Sequence, residues 1–190
     1  MTASVDDTIT VWIATHRWPP IDWLFIGLGW IEKLGAVWIA LAIVVSLASN
    51  LGWKRSILFG AYVGVATFVA DSVTFGIKDL VSRSRPFVAH PQIHPLYVVH
   101  SSSFPAGHAA TAFAGATLLS WLARRWTPAF VALATAIGFS RVYVGDHYVG
   151  DVIGGAVVGG CVGLLAVLFA MRIFGVDRRP AGGAGTGSRP

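Results

Sequence analysis

Three cations, Lys78, Arg83 and Arg85, fall within the stretch "KDLVSRSRP" at the end of a long apolar run. Lys78 and Arg85 are seven residues apart, a spacing of two helical turns that predicts one shared helix face with about 10 Å between them. Pro86 is expected to stop that helix. Such a pair is either two cations snorkelling at a helix end or one wall of an anion clamp. A second stretch, "SFPAGHAAT", opens with Ser103 as a cap candidate, has Pro105 near the first turn and runs into an apolar helix. The N–H groups of such a helix start favour a phosphate. Gly107 would let an anion approach the backbone closely, with His108 one residue beyond. The bland reading is an ordinary helix start with an interfacial histidine. A third, "SRVYVGDHYVGD", places Arg141 near the end of an apolar span, where a charge is costly unless it meets an anion or a cavity. Its His147 and Asp151 are four apart, so on one helix face Asp151 could accept the Nδ1 proton and leave Nε2 free as a nucleophile. An incidental interfacial His–Asp pair is the alternative.

The elements that must position these groups are apolar. Of 190 residues 55% are hydrophobic and 12% charged, with mean hydropathy +0.67, where a soluble domain carries ~25% charged residues. The expected fold class is therefore all-α, a polytopic transmembrane helix bundle forming one domain over residues 1–175. Five blocks read as spans: Leu34–Ser49, Ser56–Val81, Ala106–Ala123, Thr127–Val144 and Val149–Ile173. The Trp-rich segment Thr8–Ile31 is broken at His16-Arg17 and Pro19-Pro20, which suits two short interfacial helices or a sixth, broken span. Asp6 and Asp7 with no early basic cluster argue against a cleaved signal peptide. The tail, residues 176–190, is Gly/Pro-rich and reads as disordered and cytoplasmic.

Charge fixes the expected orientation. Lys54-Arg55 and Arg124-Arg125 join successive spans, and Arg172, Arg178 and Arg179 follow the last, so all three clusters read as cytoplasmic. The net charge of +5 thus lies in short loops as a topology signal and does not point to nucleic acid. The links Ser82–Pro105 and Gly145–Tyr148 then face outward together. Lys78, Arg85, His108, Arg141, His147 and Asp151 come from four helices yet fall at one membrane level. Anchoring cations belong on the other side, so the clamp is the better reading. Phosphoryl transfer suits it, because that chemistry needs positioning and charge neutralisation above all. Three fixed cations could do the work of a metal ion, and no carboxylate cluster has metal-ligand spacing. His90, His94 and His100 have no acidic or Cys companion in their loop, so no metal and no cofactor are expected.

These residues also form a known pattern. The sequence resembles the type 2 phosphatidic acid phosphatase superfamily, whose signature K-x6-R-P, P-S-G-H and S-R-x5-H-x3-D stands here as "KDLVSRSRP", "PAGH" and "SRVYVGDHYVGD". The resemblance covers Lys78–Asp151. It implies that His147 attacks phosphorus to form a phosphohistidine, that Asp151 orients His147 and that His108 protonates the leaving oxygen. It likewise implies that Lys78, Arg85 and Arg141 hold the phosphoryl oxygens. Ala106 stands where the pattern has Ser, which removes one hydroxyl and leaves the backbone N–H groups of Ala106 and Gly107 as phosphate donors.

The expected function is a metal-independent lipid phosphatase in a bacterial plasma membrane, acting at the extracytoplasmic face on a lipid phosphate or diphosphate. By resemblance, small bacterial members point to polyprenyl carriers in envelope synthesis. Phosphatidate or phosphatidylglycerophosphate hydrolysis, transfer of the phosphoryl group to an acceptor lipid, and a small anion transporter are the competing readings. A transporter would place its charges at the midplane of two repeated halves, and no repeat is visible. Three lesser expectations remain: Asp71 pairs with Lys78, Cys161 packs as a small hydrophobe, and Gly155, Gly159 and Gly163 mark a close helix contact within the bundle.

Overall fold

In the computed structural model, which describes residues 4–174, the chain forms eight α-helices and, among the described residues, no strand. Helix α1 (Val5–Thr15) starts at Ser4, whose hydroxyl accepts from Asp7 N while Asp7 Oδ2 accepts from Ser4 N, closing a capping box. It stops at His16, before Pro19-Pro20, and α2 (Asp22–Glu32) follows. The two short helices expected over Thr8–Ile31 are thus α1 and α2. A 3-10 turn at Lys33–Gly35 joins α2 to α3 (Ala36–Ala48). Gly35 takes φ +71°, and a Cβ there would press on the Thr67 side chain. Then come α4 (Trp53–Val81), the one-turn α5 (Pro86–Ala89), α6 (Gly107–Leu122), α7 (Thr127–Tyr143) and α8 (Val149–Phe174).

Helix α6 is the axis. Ala109, Ala110, Ala112, Ala114 and Ala116 are buried along it, and Leu118 and Leu119 join Trp38, Phe59, Val63, Phe130 and Ile137 in the core. Gly155 and Gly159 of α8 lie against α6 so closely that an added Cβ would run into the carbonyls of Ala106 and Ala110, and one at Gly163 would come 2.7 Å from Thr117 Cβ. The glycine stripe is therefore a seam within the bundle. The large apolar side chains point the other way: Ile153, Val157, Leu164, Leu168 and Phe169 of α8, with Val65, Phe68 and Phe75 of α4, are exposed. Small residues inside and large apolar residues outside is the arrangement lipid favours, since burial between helices gains little there and close packing gains more. Cys161 is on the exposed side. It does not pack inside the bundle, because it stands two residues from Gly159 and so on the opposite helix face.

Among the described residues two runs, Trp53–Ala89 and Val149–Phe174, are long and apolar enough to cross a membrane. The pair Pro19–Glu32 and Ala36–Ala48, bent by 71°, adds a third if it counts as one span. All five expected blocks are helical, but they do not make five full spans by this measure. Helices α6 and α7 have 16 and 17 residues, or about 25 Å at ~1.5 Å per residue against a ~30 Å hydrocarbon core. A 3-10 turn at Arg124–Trp126 and Pro128 at the start of α7 divide that run. The expected tail over 176–190, with Arg178 and Arg179, lies outside the described residues.

Candidate active site

The loop between α4 and α6, the α7–α8 link and the first turn of α8 meet at one end of the bundle. Lys78 and Arg85 do not share a helix. Helix α4 ends at Val81, Ser82 turns left-handed at φ 48°, and Arg85 is extended (φ −74°, ψ 155°) as the residue before a proline should be. Pro86 starts α5 and stops nothing, since a helix's first position needs no N–H partner. Arg85 is thereby swung inward. It is 4% exposed and uses all five N–H donors: Nε to Ser101 O (2.7 Å), Nη2 to Ser101 Oγ (2.9 Å) and Ser102 O (3.4 Å), Nη1 to Asp146 O (3.0 Å) and Asp146 Oδ1.

His147 sits in the α7–α8 link, not on a helix face with Asp151. The link folds back because Gly145 takes φ +84° and the N–H groups of Asp146 and His147 both reach the Arg141 carbonyl, at 3.0 and 3.1 Å. His147 is 2% exposed. Its Nδ1 faces Asp151 Oδ2 at 3.5 Å, and its Nε2 faces Arg85 Nη1 and Asp146 Oδ2, each at 3.5 Å. Asp151, wholly buried in the first turn of α8, accepts from Ser103 Oγ, from Tyr148 N at 2.9 Å and from Arg83 Nη1 at 2.6 Å. Arg83 stacks on the Tyr148 ring at 3.8 Å, and its Nη2 donates to Asp6 Oδ2 at 2.9 Å. Asp6 also accepts from Gly150 N (2.9 Å), so α1 straps the start of α8.

The start of α6 differs from expectation. Its N-cap is Ala106, without a side-chain bond, and Ser103 caps nothing because its hydroxyl is held by Asp151. Ala106 N donates to the Asp151 carbonyl at 2.9 Å, so Gly107 N and the N–H groups after it are the donors left to meet an anion. Asp71 makes no ion pair with Lys78 among the described residues. Its carboxylate lies against Gly107, where an added Cβ would be 2.7 Å from Oδ1.

Arg141 is buried, donating from Nε to Ser140 Oγ (2.9 Å), from Nη1 to Tyr97 Oη and from Nη2 to Phe25 O (3.0 Å). Burial, opposed by Arg141 and reinforced by the Asp146 carboxylate, pushes the Tyr97 hydroxyl up to about 12, so it stays a neutral phenol. Arg141 and His108 line a cavity of about 300 Å³ with Ile26, Trp30, Lys33, Leu96 and Tyr97. Lys78 and Arg85 line another of about 640 Å³, with Arg83, His100, Ser101 and Ser102 among its walls. Of the residues singled out in the sequence, Arg85, His147, Asp151 and Ser103 are in one connected cluster, and Lys78, His108 and Arg141 stand around it. Asp146, Arg83, Asp6, Ser101 and Tyr97 were missed as partners. Arg83 was visible as a cation two residues before Arg85, and Asp146 as an acid beside His147. His90 pairs with Asp7 at 3.3 Å, and among the described residues no three metal-ligating side chains converge.

Known proteins share this arrangement of helices. The crystal structure of a PAP2-type phosphatidylglycerolphosphate phosphatase from Bacillus subtilis superposes with a TM-score of 0.70 at 20% identity, covering 91% of this chain and 86% of that one. The crystal structure of Aquifex aeolicus LpxE gives 0.72 at 22% identity, over 87% and 96%. The undecaprenyl-diphosphatase BcrC of Bacillus subtilis (strain 168) is 30% identical over 130 residues, 67% of this chain and 65% of that protein, so the match spans just under two thirds of the relative's length. A model of the PAP2 superfamily matches residues 57–174, more than half of the sequence, and the chain belongs to that superfamily.

Proposed function

We propose that this protein is a lipid phosphatase of the membrane, hydrolysing a polyprenyl phosphate or diphosphate through a phosphohistidine on His147. The observation that carries the reading is the buried His147 ring, with a carboxylate facing Nδ1 and a guanidinium beside Nε2. Asp151 keeps the proton on Nδ1, which leaves the Nε2 lone pair to attack phosphorus. As the N–P bond forms, the bond from phosphorus to the leaving oxygen breaks and His108 gives that oxygen a proton. Water then attacks the phosphohistidine, His108 takes its proton back, and phosphate leaves with both histidines restored. Lys78, Arg85, Arg141 and the free N–H groups from Gly107 onward neutralise the phosphoryl oxygens during both steps.

Placement supports an extracytoplasmic site in a multi-pass protein. Arg124 and Arg125 lie with Ala48 and Ser49 around one cavity at the C-terminal end of α3, and Lys54-Arg55 open α4 after the short link that follows. The candidate site is at the other end, where α6 and α8 begin. Five spans follow if α6 and α7 cross with the bilayer thinned around them, as short helices require. The relative named undecaprenyl-diphosphatase supports the choice of a polyprenyl carrier, as does the apolar wall of Ile26, Trp30 and Leu96 beside His108. The test is release of inorganic phosphate by purified protein from a panel of polyprenyl phosphates and diphosphates, phosphatidate and phosphatidylglycerophosphate. Turnover fastest on the polyprenyl compounds is expected. No release from any of them, by folded protein, would end the phosphatase reading.

A further inference from the structure

Asp146 has no role in the steps above, yet its carboxylate lies where the phosphoryl group has to go. Oδ2 is 3.5 Å from His147 Nε2, so a phosphorus bonded to Nε2 would put its oxygens on the ground that this carboxylate holds. Oδ1 is paired with Arg85 Nη1, the guanidinium nitrogen beside Nε2, and both partners are 4% exposed. Every other Arg85 N–H goes to Ser101, to Ser102 or to the Asp146 main chain. The one bond beside His147 that can be given up by a simple side-chain rotation is therefore the one to Asp146 Oδ1. The charge of Asp146 is also felt at Lys78 and Arg141 and at the His108 ring, so it sits among the groups singled out for the anion site.

We infer that Asp146 is an internal competitor for the anion site: its carboxylate fills the clamp when no substrate is bound and must leave Arg85 before a phosphoryl group can take those donors. The inference rests on the phosphatase reading above. Two opposed costs give the arrangement its use. Buried cations without a counter-ion are strongly destabilising, and Asp146 removes that penalty from the empty site. A phosphate dianion beside an ionised carboxylate is a pair of like charges in one pocket, which disfavours the bound state. A lipid substrate offsets this with contacts along its chain. Free phosphate has no such contacts, so the returning carboxylate helps to expel the product from a clamp that would otherwise hold it.

The experiment uses full-length protein in lipid nanodiscs and measures inhibition of lipid-phosphate turnover by orthovanadate and by inorganic phosphate. Asp146→Asn and Asp146→Ala should each lower both inhibition constants by about tenfold or more, the scale of one removed charge at this distance in a buried site. Asp146→Glu, which keeps the charge, should stay near the wild-type values. Unchanged or weaker inhibition in Asp146→Asn would overturn the inference and leave Asp146 as a brace for Arg85. A fold-independent reading comes from wild-type protein with isotope-labelled aspartate. Orthovanadate should shift a carboxylate infrared band as the Arg85 partner is lost, and an unaltered carboxylate region would overturn the inference as well. Orthovanadate that fails to inhibit the wild type at all would remove the phosphatase reading with it. Normal wild-type inhibition that no variant tightens would remove the competitor alone.

Discussion

The cavity lined by Lys78 and Arg85 and the one lined by His108 and Arg141 are unlike in size and in chemistry. The larger, about 640 Å³, presents Lys78, Arg83 and Arg85 with the hydroxyl-bearing run Ser101-Ser102. The smaller, about 300 Å³, sets His108 and Arg141 against Ile26, Trp30 and Leu96, with Lys33 in its wall. On the proposed reading the first would take a solvated anion and the second, with its apolar wall, the end of a lipid, and the two histidines divide along the same line. His147 is beside Arg85, on the side of the first, and His108, the proposed proton donor, lines the second. On the proposed mechanism the scissile bond has to lie between the two histidines, as an in-line displacement needs.

The largest effect should come from the boundary itself. His147→Ala is expected to lower phosphate release by at least about a thousandfold, because no other histidine among the described residues has both a carboxylate and a guanidinium facing its ring nitrogens. Substantial turnover by folded His147→Ala protein would sink the covalent mechanism. His108→Ala tests the small-cavity side. It should cost about 10²-fold or more on an alkyl phosphate and much less on a phenyl phosphate, whose oxygen leaves without a proton. Equal losses on the two esters would take the proton away from His108.

A smaller loss, about tenfold, is expected in kcat with KM little changed when Arg83 becomes Met. Arg83 is linked to His147 through Asp151, at 2.6 Å, and removing it leaves a buried carboxylate short of one partner. Because Asp6 ties Arg83 to α1, Asp6→Asn should show the same kcat pattern in weaker form. A rise in KM alone would make Arg83 a phosphate ligand of the large cavity and not a positioning residue. Lys33 sharpens the contrast between diphosphate and monophosphate. It makes no ion pair among the described residues, its Nζ is 5.5 Å from the Trp30 ring centre, and it lines the cavity that holds His108. A diphosphate substrate would leave its second phosphate on that side. Lys33→Met should then lower the ratio of diphosphate to monophosphate turnover by about fivefold, the scale of one exposed ion pair. An unaltered ratio would assign Lys33 to the interface only.

What could be read in advance follows from range. The three motifs, the helix blocks and the break at Pro19-Pro20 depend on neighbours within a few turns, and each has its local cause in the structure. The α4 stop at Ser82 was misread because spacing alone suggested a continuous helix to Pro86, although the pre-proline restriction on Arg85 already favoured a break. Asp146 to Arg85 and Arg83 to Asp151 join residues 61 and 68 positions apart, and no local period reports such pairs. Ser103 looked like a cap for the same reason. Only its approach to Asp151, 48 positions away, shows what its hydroxyl does.

The smallest effect concerns Ala106, at the edge where α6 meets the site. Ala106 takes φ −75° and ψ 111°, the extended geometry in which a serine hydroxyl accepts from the second or third N–H of its helix, here His108 or Ala109. Ala106→Ser should therefore stabilise the protein by about 1 kcal/mol through the cap alone. The hydroxyl proton would remain free to donate towards the phosphoryl group. Ser102 and Ser103, the nearest hydroxyls in sequence, are engaged: Ser103 Oγ with Asp151 and Ser102 Oγ with Arg83 O at 3.3 Å. A gain in turnover of about twofold to tenfold is expected, within the range of one hydrogen bond to a charged group. Space is the opposing factor, since Ala106 is fully buried and Gly155 packs on its carbonyl. Thermal melts and steady-state kinetics separate the cases. Higher stability with unaltered turnover would mean that the hydroxyl caps α6 but does not reach the phosphate. Lower stability would mean that the seam with α8 has no room for one more oxygen, and that the small residue is there for packing.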